Sequence, residues 1–335
     1  MFSIIIPTLN NLNYLKFCIR SIKKNSKLNN EIIPHVNIGN DGTIQFLKQE
    51  GIEFSHTDYN SGICKGMNLA AKKAKTDFIL YAHDDFYFCP EWDLILKKEV
   101  EKIGHIDFYL SGTMMNNGQI QFYCGDSPDN FDEKKFLDEY KDYNYYDFQG
   151  STWAPHLIHR DTWKKVGGFS EEFFPGTGSD PDLNKKLWNI GVRIFKGIND
   201  FKVYHFGSIV TRRYKDHPTI KTESGSRGAK IFLLKWGFSI KFFKKYIICS
   251  DTKYEGELKD PIKNYKYYID LFLNKINFFK RFILKSGTQF KGPLNDPKRG
   301  IVYLINLILC KINFFYIKYI YNFRNRNNLD NNEIN

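Results

Sequence analysis

Residues 78–88 read FILYAHDDFYF, and the reading of this stretch decides the fold. Its first half has the length and composition of a buried strand, apolar and aromatic throughout. Two adjacent carboxylates follow at once, and a second aromatic run, Phe86-Tyr87-Phe88, closes behind them. Neighbouring acids repel each other, so a half-buried pair needs a cation, and oxygen ligands suit Mg²⁺ or Mn²⁺. A strand that ends in His83, Asp84 and Asp85 marks the carboxyl edge of a sheet as the place to look for chemistry.

Upstream, short β-rich runs alternate with amphipathic segments. Phe2–Pro7 is followed by a helical pattern from about Asn11 to Lys24, then by a strand at Ile32–Ile38. Helical patterns recur near Thr43–Glu50 and Ser61–Lys75, with strands expected at Ile52–Phe54 and Phe78–Tyr81. This alternation predicts a parallel sheet covered by helices on both faces, which binds ligands at the carboxyl ends of its strands. Those ends read Thr8-Leu9-Asn10, Gly39-Asn40-Asp41-Gly42 and His83-Asp84-Asp85. Taken alone, Asn-Asp-Gly is a tight turn and Asp-Asp is solvated charge. Three polar strand ends within one half of the chain point instead to a shared ligand, and a divalent ion completed by substrate phosphates is what a nucleotide-dependent transferase uses.

Downstream, a small-residue loop, Pro175 to Ser179, leads into Asp180-Pro181-Asp182-Leu183 and a helical run to Ile190. Asp180 and Asp182 then sit in a first turn, where acids complement the helix dipole. Two readings stand side by side: helix capping, or carboxylates that take a proton from an acceptor hydroxyl. In Val203-Tyr204-His205-Phe206 a histidine lies within an aromatic strand, as a core residue or as a neutral metal ligand. Residues 140–153 are rich in Tyr, Asp and Gln149, a composition that suits packing on a pyranose face. Trp153 and Trp163 are the acceptor-side candidates.

Taken in order, SIIIPTLN, NDGT, NSGICKGMN, HDD, GGF with SDPDL, and VYHF resemble the inverting family 2 glycosyltransferases of the GT-A fold over roughly residues 2–210. The resemblance implies a Rossmann-like mixed sheet flanked by helices. It implies that Asp41 contacts the base of a UDP-type donor, with Pro7, Thr8 and Asn10 shaping the base pocket. Asn60, Gly62, Lys65 and Asn68 would line the donor site, with His83 beside them and Asp84 on the ribose or sugar. Asp85 and His205 would hold the metal, Mn²⁺ or Mg²⁺. Asp180 would be the general base of a direct, inverting displacement, with Asp182 in reserve. The chain departs from the family pattern at Asn40, where a second Asp is usual, at Met67, where an Arg is common, and at Ser179, where a Glu is common.

The 335 residues are 42% hydrophobic and 26% charged, with a mean hydropathy of −0.45, which excludes global disorder and collagen-like repeats. Charges balance over residues 1–228, so the excess of +12 falls entirely in residues 229–335. The expected organisation is a GT-A domain over 1–228, a helical basic and aromatic region over 229–323 and a disordered tail over 324–335. Six scattered cysteines form no CxxC pair, which argues against zinc and a disulfide framework and for a cytoplasmic setting. The apolar start stops at Pro7, unlike a signal peptide, and residues 301–323 are broken by Asn306, Lys311, Asn313 and Lys318, unlike a spanning helix. Lysines between aromatic and aliphatic residues in the last third suit an anionic membrane surface at the cytoplasmic face, or packing on the body. Nucleic acid is the least favoured partner. The acceptor expected is a glycan, lipid-linked or other glycoconjugate. The competing classes are a nucleotidyltransferase and a non-catalytic carbohydrate- or nucleic-acid-binding protein on a decayed transferase fold.

Overall fold

The computed structural model describes residues 1–207 and 224–283. The expectations for residues 301–323 and 324–335 lie outside these. A boundary between compact units falls after Lys275, and the sheet, its flanking helices and the candidate site all belong to the unit Met1–Lys275.

Nine strands form one mixed sheet: β1 (Phe2–Leu9), β2 (Glu31–Asn37), β3 (Ser55–Thr57), β4 (Phe78–Tyr81), β5 (Phe86–Phe88), β6 (Phe108–Met115), β7 (Phe148–Gln149), β8 (His156–His159) and β9 (Ile194–His205). Their order is β3-β2-β1-β4-β8-β6-β9-β5, with β7 also on β9. The first four are parallel, as the alternating pattern predicts, while β8 runs antiparallel to both β4 and β6. Phe2, Ile4, Ile5 and Ile6 are all fully buried, the continuous apolar run of a parallel strand covered on both faces. This parallel half followed by a mixed half, in which β6 and β9 run parallel while β8, β5 and β7 pair antiparallel, is the α/β, GT-A-type architecture expected.

On the flanks lie α1 (Leu12–Asn25), α2 (Thr43–Gln49), α3 (Gly62–Ala71), α4 (Trp92–Ile103), α5 (Glu133–Glu139), α6 (Arg160–Val166) and α7 (Ser179–Asn189). The stripe Leu15, Cys18, Ile19 and Ile22 buries α1 against the sheet. Two boundaries differ from expectation. Ile52 N–H donates to Leu47 O, closing a turn behind α2, so strand pairing starts only where Ser55 meets His35. The helix beginning at Gly62 ends at Ala71, because Lys73 and Ala74 bond back only three residues, in tight turns.

Among the described residues, three further helices come after the sheet: α8 (Ser224–Trp236), α9 (Ile240–Tyr246) and α10 (Tyr265–Ile283). Phe232, Phe243, Ile247 and Ile248 join the main core, so the start of the basic region is part of the body. A second, aromatic cluster gathers Tyr14, Phe17, Tyr87, Phe136, Tyr204 and Phe206 at the far end of β9.

Candidate active site

Strand register builds the first half of the site. The strand β5 pairs antiparallel with β9 so that Phe86 opposes His205, and Phe206 N–H donates to Asp85 O at 3.1 Å. This pairing brings together HDD and VYHF, motifs more than a hundred residues apart. Behind β5, α1 covers the strand edge that β9 leaves unpaired: Ser21 Oγ accepts from Phe88 N–H, and Asn25 donates to Phe88 O.

The result is a trio of ligand atoms, from His83, Asp85 and His205, all within 4.8 Å of one another. Asp85 Oδ2 lies 3.5 Å from His205 Nε2, while His205 Nδ1 lies 3.4 Å from Asn117 O. A proton on Nδ1 shared with that carbonyl leaves Nε2 as the nitrogen offered to a cation, the usual support for a ligating histidine. On His83, Nε2 pairs with the Tyr81 hydroxyl at 2.9 Å, and burial pulls the imidazole down to about 4, so it is neutral and fit to ligate. One carboxylate with two imidazoles suits a divalent transition ion, Mn²⁺ above Mg²⁺. The chain's own residues thus fit the metal that the resemblance implies. Asp84 is buried beside them, its carboxyl pushed up by burial and by the Asp85 charge, with Thr8 and Asn11 opposing that shift.

The second half is set by β8. Its register places His156 between Tyr81 of β4 and Ser111 of β6, and cross-strand neighbours share a face. His156 is fully buried, its Nδ1 pairs with the Tyr109 hydroxyl at 3.0 Å, and burial lowers it to about 3. Against this layer stands the first turn of α7. Asp180 Oδ1 lies 3.9 Å from His156 Nδ1 and is buried with no hydrogen-bond partner. Burial pushes the Asp180 carboxyl up to about 7, over the opposing pull of a backbone hydrogen bond. Tyr81 links the halves: it bonds His83, and the charges of both Asp180 and Asp85 act on its hydroxyl.

Unsatisfied buried polar atoms gather around these residues. Ser111 Oγ, Ser151 Oγ, Trp153 Nε1, His156 Nε2 and Asn184 Oδ1 join Asp180 Oδ1 in lacking a partner. Such atoms are rare in folded proteins and mark places where water or ligand completes the structure.

The remaining sequence candidates divide by what their polar atoms do. Asp41 Oδ2 accepts from Leu12 N–H at 2.9 Å and Oδ1 from Thr43, so it joins the starts of α1 and α2. Asn10, at positive φ, accepts from Gly39 and Asn40 N–H and sets the second strand-end turn beside Pro7 and Thr8. Asn60 caps α3 by accepting from Gly62 N–H at 3.0 Å. Gly62 itself sits at φ +75 with Phe174 packed where a Cβ would be, so only glycine fits there. Lys65 donates to Tyr59 Oη at 2.7 Å. Asn68 reaches across to Phe169, bonding both its N–H and C=O, and so fixes the GGF turn rather than opening to a pocket. Trp153 is half-buried and stacks on Phe148. Trp163 is a core residue packed edge-on against Phe169, out of reach of an acceptor.

Asp182 has a structural task. Fully buried, it accepts from Ser170 Oγ at 2.5 Å, Trp236 Nε1 at 2.8 Å and Lys235 Nζ at 3.0 Å, which pins α8 to α7. Removing it leaves the Lys235 ammonium with the half-exposed Glu172 carboxylate and the Ser170 hydroxyl. Asp182→Ala is expected to cost about 3 kcal/mol, as for other broken buried pairs, measured as a lowered urea midpoint. An unchanged midpoint would refute this role.

His156, Tyr81 and Tyr109 are residues of the candidate site that sequence reasoning missed. The only signal was the position of His156 at the start of a strand, after the aromatic Trp153-Ala154-Pro155 segment. Two of the three departures from the family pattern have local explanations. Met67 is fully buried in the core face of α3, and Ser179 Oγ donates to Gly176 O at 2.6 Å, closing the turn that starts α7.

Residues 3–160 match the family described as Glycosyl transferase family 2. No curated protein sequence matches the chain significantly. Among solved structures, the chain is similar to S. aureus TarS 1–349 at 15% identity, covering 88% of this chain and 76% of that one with a TM-score of 0.49. The same protein in complex with UDP-GlcNAc is similar at 14% identity, over 83% and 80% of the two chains, with a TM-score of 0.48. Its complex with UDP gives 17%, 72% and 74%, with a TM-score of 0.47.

Proposed function

We propose, from the premise that residues 3–160 are a family 2 glycosyltransferase domain, that this enzyme moves a sugar from a nucleoside diphosphate donor, of the UDP type, to a glycan or lipid-linked acceptor with inversion. The observation that carries this reading is the pairing of two unlike acidic sites: Asp85 with two imidazoles within 4.8 Å, and a separate carboxylate, Asp180, held near neutrality by burial. One is made to hold a cation and the other to take a proton.

In this reading the turns at Pro7, Thr8, Asn10 and Asp41 receive the base, and Asn60, Gly62 and Lys65 border the donor. Asp84 faces the ribose or sugar, and Asn68 acts through the Phe169 turn. His83, Asp85 and His205 hold the divalent ion. When bound, that ion supplies positive charge to the departing diphosphate. Asp180 accepts the acceptor's hydroxyl proton, and the oxygen attacks the anomeric carbon from the face opposite the leaving group. His156 and Tyr109 pack beneath Asp180 and keep bulk water from its inner oxygen. Trp153 offers an aromatic face on the acceptor side.

A panel of nucleotide sugars with Mn²⁺, Mg²⁺ or chelator tests this. The expected result is release of nucleoside diphosphate from one donor, faster with Mn²⁺ than with Mg²⁺ because two of the three ligands are imidazoles. Inorganic diphosphate as the product would indicate nucleotidyl transfer instead. Failure of UDP, GDP and dTDP to bind with metal present would overturn the reading.

A further inference from the structure

The helix α10 is built inside out. Its packed side is polar and aromatic: Asp270 accepts from Lys245 Nζ at 2.9 Å and from the Tyr246 hydroxyl at 2.7 Å. On the same side Asn274 accepts from Ser239 N–H at 2.8 Å, and Tyr267 rests edge-on against Phe242. Its outer side carries Tyr265, Tyr268, Ile269, Phe272 and Leu273, each between 49% and 69% exposed. These are positions i, i+3, i+4, i+7 and i+8, one continuous stripe along a helix. Ile262, just before it, is 83% exposed, and more than half of the exposed large apolar side chains among the described residues lie between Ile262 and Leu273. Soluble surfaces seldom leave such a stripe uncovered unless something binds it.

The charges say what covers it. At about 3.6 residues per turn, Lys266 and Lys275 fall on opposite edges of the stripe, and both are exposed. An apolar and aromatic face bordered on both sides by lysines is the pattern of a helix lying in a bilayer interface. There the rings and aliphatic chains sink to the acyl boundary and the ammonium groups reach the headgroups. A second copy of the chain would bring the same lysines against themselves. Residues 284–335 are also net positive, so the chain's own remaining segment is a poor electrostatic match.

We propose that the outer face of α10 is a docking surface for an anionic lipid bilayer, with Tyr265, Ile269 and Phe272 inserting and Lys266 and Lys275 contacting headgroups. The inference does not depend on the glycosyltransferase reading. None of these residues belongs to the proposed active site.

Co-sedimentation of the full chain with vesicles tests it, using phosphatidylcholine alone and phosphatidylcholine with about one third phosphatidylglycerol. The wild type should pellet with the anionic vesicles and lose binding as salt is raised. Ile269→Glu with Phe272→Glu should weaken binding by about tenfold or more, and Lys266→Gln with Lys275→Gln should remove most of the preference for anionic lipid. Both variants should keep wild-type melting temperature and nucleotide binding, which shows that the loss is local. Wild type left in the supernatant, or a Glu variant that pellets as well as wild type, overturns the proposal. So does a wild-type dimer in sedimentation velocity that the Glu variant dissolves without any vesicle binding, since the face would then join two copies.

Discussion

Asp180→Asn is expected to lower sugar transfer by about 10²–10⁴-fold, the usual worth of a positioned general base, while leaving nucleotide binding near wild type. The expectation rests on an imbalance in the structure. Asp180 stands in the first turn of α7, where the helix dipole favours an anion, yet burial outweighs this and moves its carboxyl up to about 7. Its neighbour His156 is neutral, lowered to about 3, and gives no opposite charge. The wild-type rate should therefore rise with pH through about 7 as the base form appears. The same shift fixes the sign of a stability effect. The folded protein keeps the proton up to about pH 7, whereas the unfolded chain loses it near 4, so stability falls as pH rises across that window. Asp180→Asn removes this liability and should melt a few degrees higher than wild type at about pH 8. A fully active Asp180→Asn enzyme would remove Asp180 from the chemistry.

How much the sequence discloses depends on the range of the interactions involved. The strand at Phe78–Tyr81, the helices α1 and α2 and the start of α7 were legible because apolar periodicity and turn residues are local signals. So was the gathering of polar residues at strand ends, since a parallel sheet puts its loops on one edge. Only part of the trio, Asp85 with His205, was legible through motif order, since His83 was expected beside the donor. The trio's cause, the opposition of Phe86 to His205 across β5 and β9, is a long-range register that no window of sequence contains. The same limit hid His156, which matters only because β8 inserts between β4 and β6. Asp180 and Asp182 are a further case. Two residues apart on a helix they face different ways, and only the arrival of Lys235 and Trp236 from α8 assigns one to structure and leaves the other for chemistry. Trp163 misled because an aromatic beside a loop reads alike whether it faces a sugar or the core.

The metal centre carries the other large effect. Asp85→Ala removes the one carboxylate among the three clustered ligand atoms, and Mn²⁺-dependent release of nucleoside diphosphate should fall by at least about a hundredfold. A readout that needs no turnover is available. An ion that binds only the folded state raises its stability by about 2.7 kcal/mol at a hundred times its Kd, so Mn²⁺ alone should raise the melting temperature of the wild type but not of Asp85→Ala. His205→Ala is the more discriminating change. It deletes a nitrogen ligand and keeps the carboxylate, which shifts the donor set towards oxygen and water. Activity should drop while the advantage of Mn²⁺ over Mg²⁺ narrows, because the imidazole is what favours the transition ion. If wild-type activity is equal with Mn²⁺ and with chelator, and Mn²⁺ leaves the melting temperature unmoved, the trio is a packed core feature and Asp85 must act on the donor without a cation.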